Sequence, residues 1–416
     1  MQTGKQKWVA NTAVFIIGQA VSMFGSMLVQ YAITWHITLT TQSGVYATIG
    51  ILCGFVPNLL ISPLAGVWAD RYNRKLLMIF SDAFIALCTL VVALIFMWGG
   101  GSLTLLFVAL VLRSLGSAVQ SPCVGAMLPD LVPTEHLTRV NGIHGGVQPL
   151  LMLAAPVISG ALMGLMPLEG IFFIDVITAA IAILILLLFL KVPYKKTEDK
   201  KKSSYFTDLK LGLRYIKTQK YLQHMLVFSA LFNFFAAAPA FLSPLLVTRV
   251  FGDNVWLLTA VEMAFALGMI AGSLLVAAWG GFKNRVHTFL VATIIMGIAT
   301  FSYGFPYYLW LFLLAGGVIG LMIPFYNTPA MVILQERVDP DYMGRVFSVL
   351  MMISSSAMPL GMLAFGPLAD RLNIEILMMI AGCVSFIFSP LLLVSKPLME
   401  AGKRLVPAAE RLPEKE

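Results

Sequence analysis

The sequence predicts an all-α membrane protein, with twelve transmembrane helices arranged as two pseudo-symmetric six-helix bundles. Its apolar load, its long apolar runs and the uneven placement of its basic residues carry that reading. Of 416 residues, 59% are hydrophobic and only 12% are charged. A soluble chain of this length could not hide so much apolar surface. A membrane-spanning helix needs about 20 mostly apolar residues. Twelve such runs occur, at roughly 12–37, 46–68, 76–98, 102–122, 141–165, 170–190, 222–248, 256–279, 286–304, 308–330, 345–367 and 374–395. The bilayer core admits only helices or closed barrels, and these runs are too long for barrel strands.

The net charge of +8 follows from topology. Cytoplasmic loops of membrane proteins collect Lys and Arg. With Lys5 and Lys7 taken as cytoplasmic, the even-numbered loops hold Arg71, Arg74, Lys75, Arg139, Lys283, Arg285, Arg337 and Arg345. The central loop adds ten basic residues from Lys191 to Lys220 and the tail five more, whereas the odd-numbered loops hold only Arg249 and Arg371. Both ends and the central loop are therefore expected in the cytoplasm, with the chain in the plasma or inner membrane. This asymmetry leaves no reason to invoke nucleic-acid binding. The first apolar run has no small-residue cleavage site and reads as a helix that stays. Cys53, Cys88, Cys123 and Cys383 all fall inside spans without metal-ligand spacing, so neither a disulfide nor a metal site is expected.

The organisation expected is an N-terminal bundle (1–190), a linker (191–221), a C-terminal bundle (222–395) and a tail (396–416). The halves share a weak repeat. A shift of 206 residues superposes Asp130 on Glu336, Val132 on Val338, Glu135 on Asp341 and Arg139 on Arg345. It also brings Gly160 onto Gly366 and Glu169 onto Glu375. A slightly different shift sets WADRYNRK (68–75) beside WGGFKNRV (279–286). Two parallel repeats with a site between them form a known transporter architecture. In the linker, Phe206, Leu209, Leu213 and Ile216 recur at helical spacing among basic residues, which suggests an amphipathic helix on the cytoplasmic membrane surface.

The loop between spans two and three reads Gly66-Val-Trp-Ala69-Asp70-Arg71-Tyr-Asn73-Arg74-Lys75. It resembles the signature of the major facilitator superfamily. Asn73 stands where that family usually has Gly, and Asn tolerates left-handed backbone better than most residues. Span four carries Leu110-Val-Leu-Arg113-Ser-Leu-Gly116-Ser-Ala118, similar to a second family signature whose intramembrane Arg is associated with proton-driven members. Span five carries Gly142 and Ala155-Pro156-Val-Ile-Ser159-Gly160, a degraded antiporter signature with Leu151 and Ala155 in place of two glycines. The whole chain resembles the macrolide-efflux branch of proton-coupled drug exporters. In such a member, Gly66, Asp70, Arg71, Arg74, Asp130 and Arg345 would form a cytoplasmic conformational latch. Asp70 would point at the start of span eleven, near Gly344 and Arg345, and Arg74 would reach Asp130.

Four ionisable groups lie inside apolar runs: Asp82, Arg113, Asp175 and Glu262. Such groups are costly in hydrocarbon and commonly face a bundle interior or a water-filled path. Asp82 and Arg113 lie at similar depths on adjacent antiparallel spans and are expected to pair. As a pair they would serve either as a proton-sensitive switch or as a static brace. Asp175 and Glu262 have no basic neighbour in their own spans. All four are candidates for proton coupling, and Glu262 also for attracting a lipophilic cation. Candidate cavity residues are Gln19, Ser26 and Gln30, on a polar stripe of span one that also holds Ser22 and Thr34. Asn233, Phe235, Glu262, Tyr326 and Asn327 complete the set. A few polar groups on apolar walls is the usual make-up of a small-molecule pocket.

No phosphate-cradling Gly-Lys-Ser/Thr loop, nucleophile elbow or HExxH occurs, so neither an ATP-driven pump nor an enzyme is expected, and no cofactor. The reading is an exporter of lipophilic or amphipathic small molecules working by proton antiport. Its expected partners are the cargo, protons and membrane lipids, and it is expected to act as a monomer. Export of a siderophore or lipid, import of a small metabolite, and a transport-inactive receptor or channel stay open as alternatives.

Overall fold

The computed structural model describes residues 2–190, 205–305, 308–340 and 342–403. Among them the chain is helical throughout. Six long helices come first: α1 (Gln2–Thr41), α2 (Gly44–Arg71), α3 (Arg74–Met97), α4 (Leu103–Leu131), α5 (Leu137–Leu165) and α6 (Leu168–Phe189). A shorter α7 (Tyr205–Thr218) precedes α8 (Lys220–Phe251), α9 (Val255–Trp279), α10 (Arg285–Ser302), α11 (Leu309–Arg337), α12 (Met343–Ala369) and α13 (Ile374–Phe388). Two short helices close the described chain, α14 (Leu391–Val394) and α15 (Lys396–Ala401). Among the described residues, twelve segments are long and apolar enough to cross a membrane. The last is interrupted at Ser389 and Pro390, since Pro has no N–H to continue the ladder.

Several helices run past the apolar windows that announce them. α4 continues to Leu131, through Pro122 and Pro129. Its apolar run is expected to end near residue 122, but helical hydrogen bonding carries Asp130 out on the same rod. At Asn73 the backbone is extended (φ −64°, ψ 111°), and its side chain accepts from the Leu76 N–H as the N-cap of α3. The left-handed turn implied by the family resemblance is therefore absent. Asn serves here as a capping acceptor. Asn284 repeats the device at the start of α10, accepting from the Val286 N–H.

The chain divides into two compact units. The first gathers α1–α6 with the stretch Val247–Met263, and the second holds the rest from α7 onward. In unit 1 an apolar cluster of Leu28, Ile33, Ala93, Leu106, Leu110 and Phe172 fills one half of the interior. A second, of Phe15, Met78, Cys123, Met127 and Leu186, fills the other. Between these clusters each of α1, α3, α4 and α6 places a buried polar residue, among them Ser22, Asp82, Arg113 and Asp175, and that layer holds the buried charges.

In unit 2, α7 packs on α12. Ile216 is buried against it, Tyr215 stacks on Tyr342 at 4.7 Å, and the Tyr215 hydroxyl accepts from the Asp339 N–H at 3.2 Å. Gly212 faces the Arg345 carbonyl so closely that a Cβ would stand 2.7 Å from its oxygen. The apolar side expected to lie on the membrane is thus used against α12, while Leu213 stays exposed and the Phe206 side chain falls outside the described residues. Gly212→Leu is expected to push α7 off α12, at about 1–3 kcal/mol of unit stability. A lower melting temperature and faster proteolysis at α7 would show it.

Candidate functional site: the buried charges of unit 1

Arg113, on α4, is 6% exposed and Asp175, on α6, is 1% exposed. Arg113 Nη1 donates to Asp175 Oδ2 in a direct ion pair and also to Thr89 Oγ1 on α3. Its Nη2 donates to the Ser26 carbonyl of α1 at 3.2 Å. Thr89 and Ser26 hydroxyls each donate to the Asp175 carboxylate, at 3.2 and 3.5 Å. Four helices thus meet at one ion pair whose remaining valences are met by hydroxyls and a backbone carbonyl. Such satisfaction is what makes a buried pair tolerable.

The expected pairing of Asp82 with Arg113 is therefore incorrect. Depth along antiparallel helices was the only guide, and it could not reveal that α6 brings a second acid to the same guanidinium. Asp82 is 2% exposed. Its Oδ1 accepts from Ser22 Oγ at 2.8 Å and from Gln120 Nε2 at 2.6 Å, while its Oδ2 has no partner among the described residues.

The polar stripe of α1 is corrected in part. Gln19 and Ser22 are buried in unit 1 (2% and 4% exposed), and Gln30 is exposed. The stripe exists because α1 supplies donors to two acids, with Ser22 serving Asp82 and Ser26, one turn on, serving Asp175. Further along α1 the Tyr31 hydroxyl donates to Glu262 Oε2 at 3.5 Å, the outer limit of a hydrogen bond. Glu262 is half-buried and in no ion pair among the described residues. The Val247–Met263 stretch is held in unit 1 at two further places. Arg249 donates through Nε and Nη2 to the Gln42 carbonyl at 3.2 and 2.6 Å. Thr259 lies over Gly160 of α5, where any Cβ would collide with its hydroxyl.

In unit 2, Asn233 donates to the Ser229 carbonyl at 2.8 Å and to the Tyr326 hydroxyl at 3.4 Å. Tyr326 is 8% exposed, stacked on Phe232 at 4.8 Å and tilted against Phe289 at 4.6 Å. It belongs to the packing of α8, α10 and α11, whereas Asn327, about 100° round the helix, is exposed. Phe235 lines a small apolar recess between α8 and α13, with Phe228, Phe232 and Phe388.

At the other polar cluster of unit 1, Arg74 Nη1 donates to Asp130 Oδ2 at 2.5 Å and to the Ala126 carbonyl at 2.9 Å, and Nε donates to the Ala69 carbonyl at 3.0 Å. Gly66 is half-buried and Arg71 exposed; the Asp70 side chain lies outside the described residues. Arg345, in unit 2, sits 5.8 Å over the Tyr342 ring. The repeat reappears here in three dimensions. Arg285, aligned with Arg74, binds Glu336, aligned with Asp130, through two hydrogen bonds of 2.5 and 2.6 Å. Sequence reasoning missed that second pair, although the repeat already set its members beside Arg74 and Asp130. It also missed Thr89, Gln120 and Tyr31, whose residue types are too common in membrane helices to stand out. No group of His, Cys, Asp and Glu able to hold a metal ion occurs among the described residues.

Twelve apolar helices in two units, with an interior ion pair and matching charge pairs at the helix ends, define a multi-pass membrane protein of the transporter class. The chain belongs to the major facilitator superfamily, whose profile matches residues 12–362 and again 256–414. It is similar to macrolide efflux protein A of Streptococcus pyogenes, 29% identical over 380 residues (90% of this chain, 93% of the relative). The Enterococcus faecalis protein of that name is 30% identical over 316 residues (75% and 97%). The staphyloferrin A transporter of Staphylococcus aureus is 25% identical over 382 residues (91% and 95%). Among solved structures, a peptide transporter of the POT family aligns with TM-score 0.72 at 12% identity, covering 96% of this chain and 99% of that one. The nucleoside transporter NupG aligns with TM-score 0.67 at 14% identity (93% and 98%). At such identities the likeness concerns the fold.

Proposed function

We propose that the protein exports lipophilic or amphipathic small molecules, macrolide-type compounds among them, in exchange for protons. The observation that carries this reading is Glu262. Its carboxyl sits on an apolar helix, meets only a distant tyrosine hydroxyl and has no compensating cation among the described residues. A group so placed can take up and release a proton without breaking an ion pair. The macrolide-efflux relatives support the cargo class. The basic residues flanking the spans support cytoplasmic ends, and the internal repeat supports two six-helix bundles, about 1–190 and 222–395, that alternate access between them. The Arg74–Asp130 and Arg285–Glu336 pairs fit a cytoplasmic latch that closes and opens with that motion.

A panel of radiolabelled or fluorescent drugs tests this in cells with and without the protein. Lower accumulation of one or more macrolides is expected, abolished by a proton uncoupler. Accumulation that ignores the uncoupler sinks proton antiport. A siderophore cargo is the second reading, favoured by the likeness to the staphyloferrin A transporter; retention of a carboxylate siderophore inside cells lacking the protein would favour it.

A further inference from the structure

Residues 396–416 read as a tail in the sequence, yet the first of them are built into unit 2. The short helix α15 (Lys396–Ala401) buries Leu398 and Ala401, at 1% and 6% exposed. Every carbonyl from Met399 to Lys403 accepts a hydrogen bond from the ends of α10 and α11. The Met399 carbonyl accepts from Asn284 Nδ2 and the Gly402 carbonyl from the Arg285 N–H, each at 2.9 Å. Arg337 serves the rest. Its Nε donates to the Ala401 carbonyl at 3.1 Å, and its Nη2 to those of Glu400 and Lys403 at 3.2 and 3.1 Å. At the other end, Ser395 Oγ caps α15 by accepting from the Leu398 N–H at 3.3 Å, and lies 2.6 Å from His224 Nδ1 on α8. The segment Ser395–Lys403 thus ties together the ends of α8, α10 and α11.

The attachment is chemically complementary. The first N–H groups of a helix and its last carbonyls have no partner within that helix. Here the start of α10 and the end of α15 supply one another, positive pole against negative, and Arg337 adds a cation at the carbonyl end. Asn284 works in both directions, its Oδ1 capping α10 at the Val286 N–H while its Nδ2 holds α15. Gly402 fits where little else could, since a Cβ there would stand 2.4 Å from Asn284 Oδ1. What the segment grips is the charge pair of the second repeat. Arg285, whose N–H it takes, binds Glu336, and Arg337 directly follows Glu336. The 206-residue shift sets Arg337 beside Leu131, whose side chain has no donor for such a task.

We propose that Ser395–Lys403 is a strap across one end of unit 2, and that Arg337 is a positioning residue which acts through it to keep Arg285 aimed at Glu336 during transport. The transport part rests on the exporter reading, in which that pair opens and closes in each cycle. Partners held in place re-form a contact at less entropic cost than partners on loose helix ends. The strap therefore governs turnover and leaves cargo affinity alone.

Hydrogen exchange on the full chain in lipid nanodiscs, without cargo, tests the strap independently of export. The Arg285 amide should exchange about tenfold faster in Arg337→Leu, which frees the strap from α11. Asn284→Asp should act in the same direction more weakly, because aspartate still caps α10 but cannot donate to Met399. Arg337→Lys should recover only part of the protection, since an ammonium cannot reproduce the guanidinium fork. A chain ending at Val394 lacks the strap, and a chain ending at Lys403 keeps it.

Turnover is read in proteoliposomes as pH-driven movement of radiolabelled erythromycin per folded transporter. Arg337→Leu and the chain ending at Val394 should each lower the maximal rate about tenfold, with KM within about twofold of wild type. The chain ending at Lys403 should match wild type. Wild-type exchange at Arg285 in both Arg337→Leu and the chain ending at Val394 overturns the strap. A lower melting temperature with an unchanged rate per folded molecule overturns the positioning role, as does an equal loss in the two truncations. If wild type moves no erythromycin, the exporter reading fails for that compound, and the exchange measurement alone decides the strap.

Discussion

Arg113→Met is expected to cost about 3–5 kcal/mol and to yield little folded protein. The variant removes one partner of a pair whose other member, Asp175, is 1% exposed. It leaves the Thr89 hydroxyl and Ser26 carbonyl without their shared donor as well. The four helices that meet there would lose their common tie. The double variant Arg113→Met, Asp175→Leu should recover most of the loss, because an apolar pair of similar volume has no desolvation to offset. Melting temperature and monodispersity in mild detergent provide the readout. If Asp175 is electrically silent, the refolded double variant also keeps efflux. Wild-type stability in the single variant would show that the pair holds nothing together.

Glu262→Gln has the opposite profile. Glutamine has nearly the same shape and can still accept from Tyr31, so folding should be unchanged. Proton-driven efflux, measured as cargo movement after an imposed pH step in proteoliposomes, is expected to fall on the order of a hundredfold. Tyr31→Phe should have a much smaller effect, since the hydrogen bond it removes is 3.5 Å long. Unchanged pH-driven efflux in Glu262→Gln would remove this residue from the coupling mechanism, whatever its effect on affinity.

The spans, the duplication and the family were legible in the chain because each is written in local pattern. Apolar runs report the bilayer, and Asn73-Arg74 and Asn284-Arg285 report the repeat. That Asp82, Asp175 and Arg113 are interior was legible too, because charge inside hydrocarbon has few places to go. Their pairing was not. Which acid meets Arg113 depends on which helices the inward face of α6 packs against, and the apolar span Leu168–Phe189 around Asp175 gives no hint of that. The same ambiguity set Tyr326 beside Asn327 in one expected wall, when one is packed in a core and the other exposed. Ser22 reads as cavity lining because polar residues in a membrane helix seek either water or a partner, and only the fold shows that its partner is Asp82.

The seating of α7 on α12 has a practical corollary for splitting the gene. Two fragments expressed from separate cistrons should reassemble when the cut falls ahead of Tyr205. A cut after Thr218 would strand Gly212 and Tyr215 on the wrong piece and strip the second fragment of its own buttress.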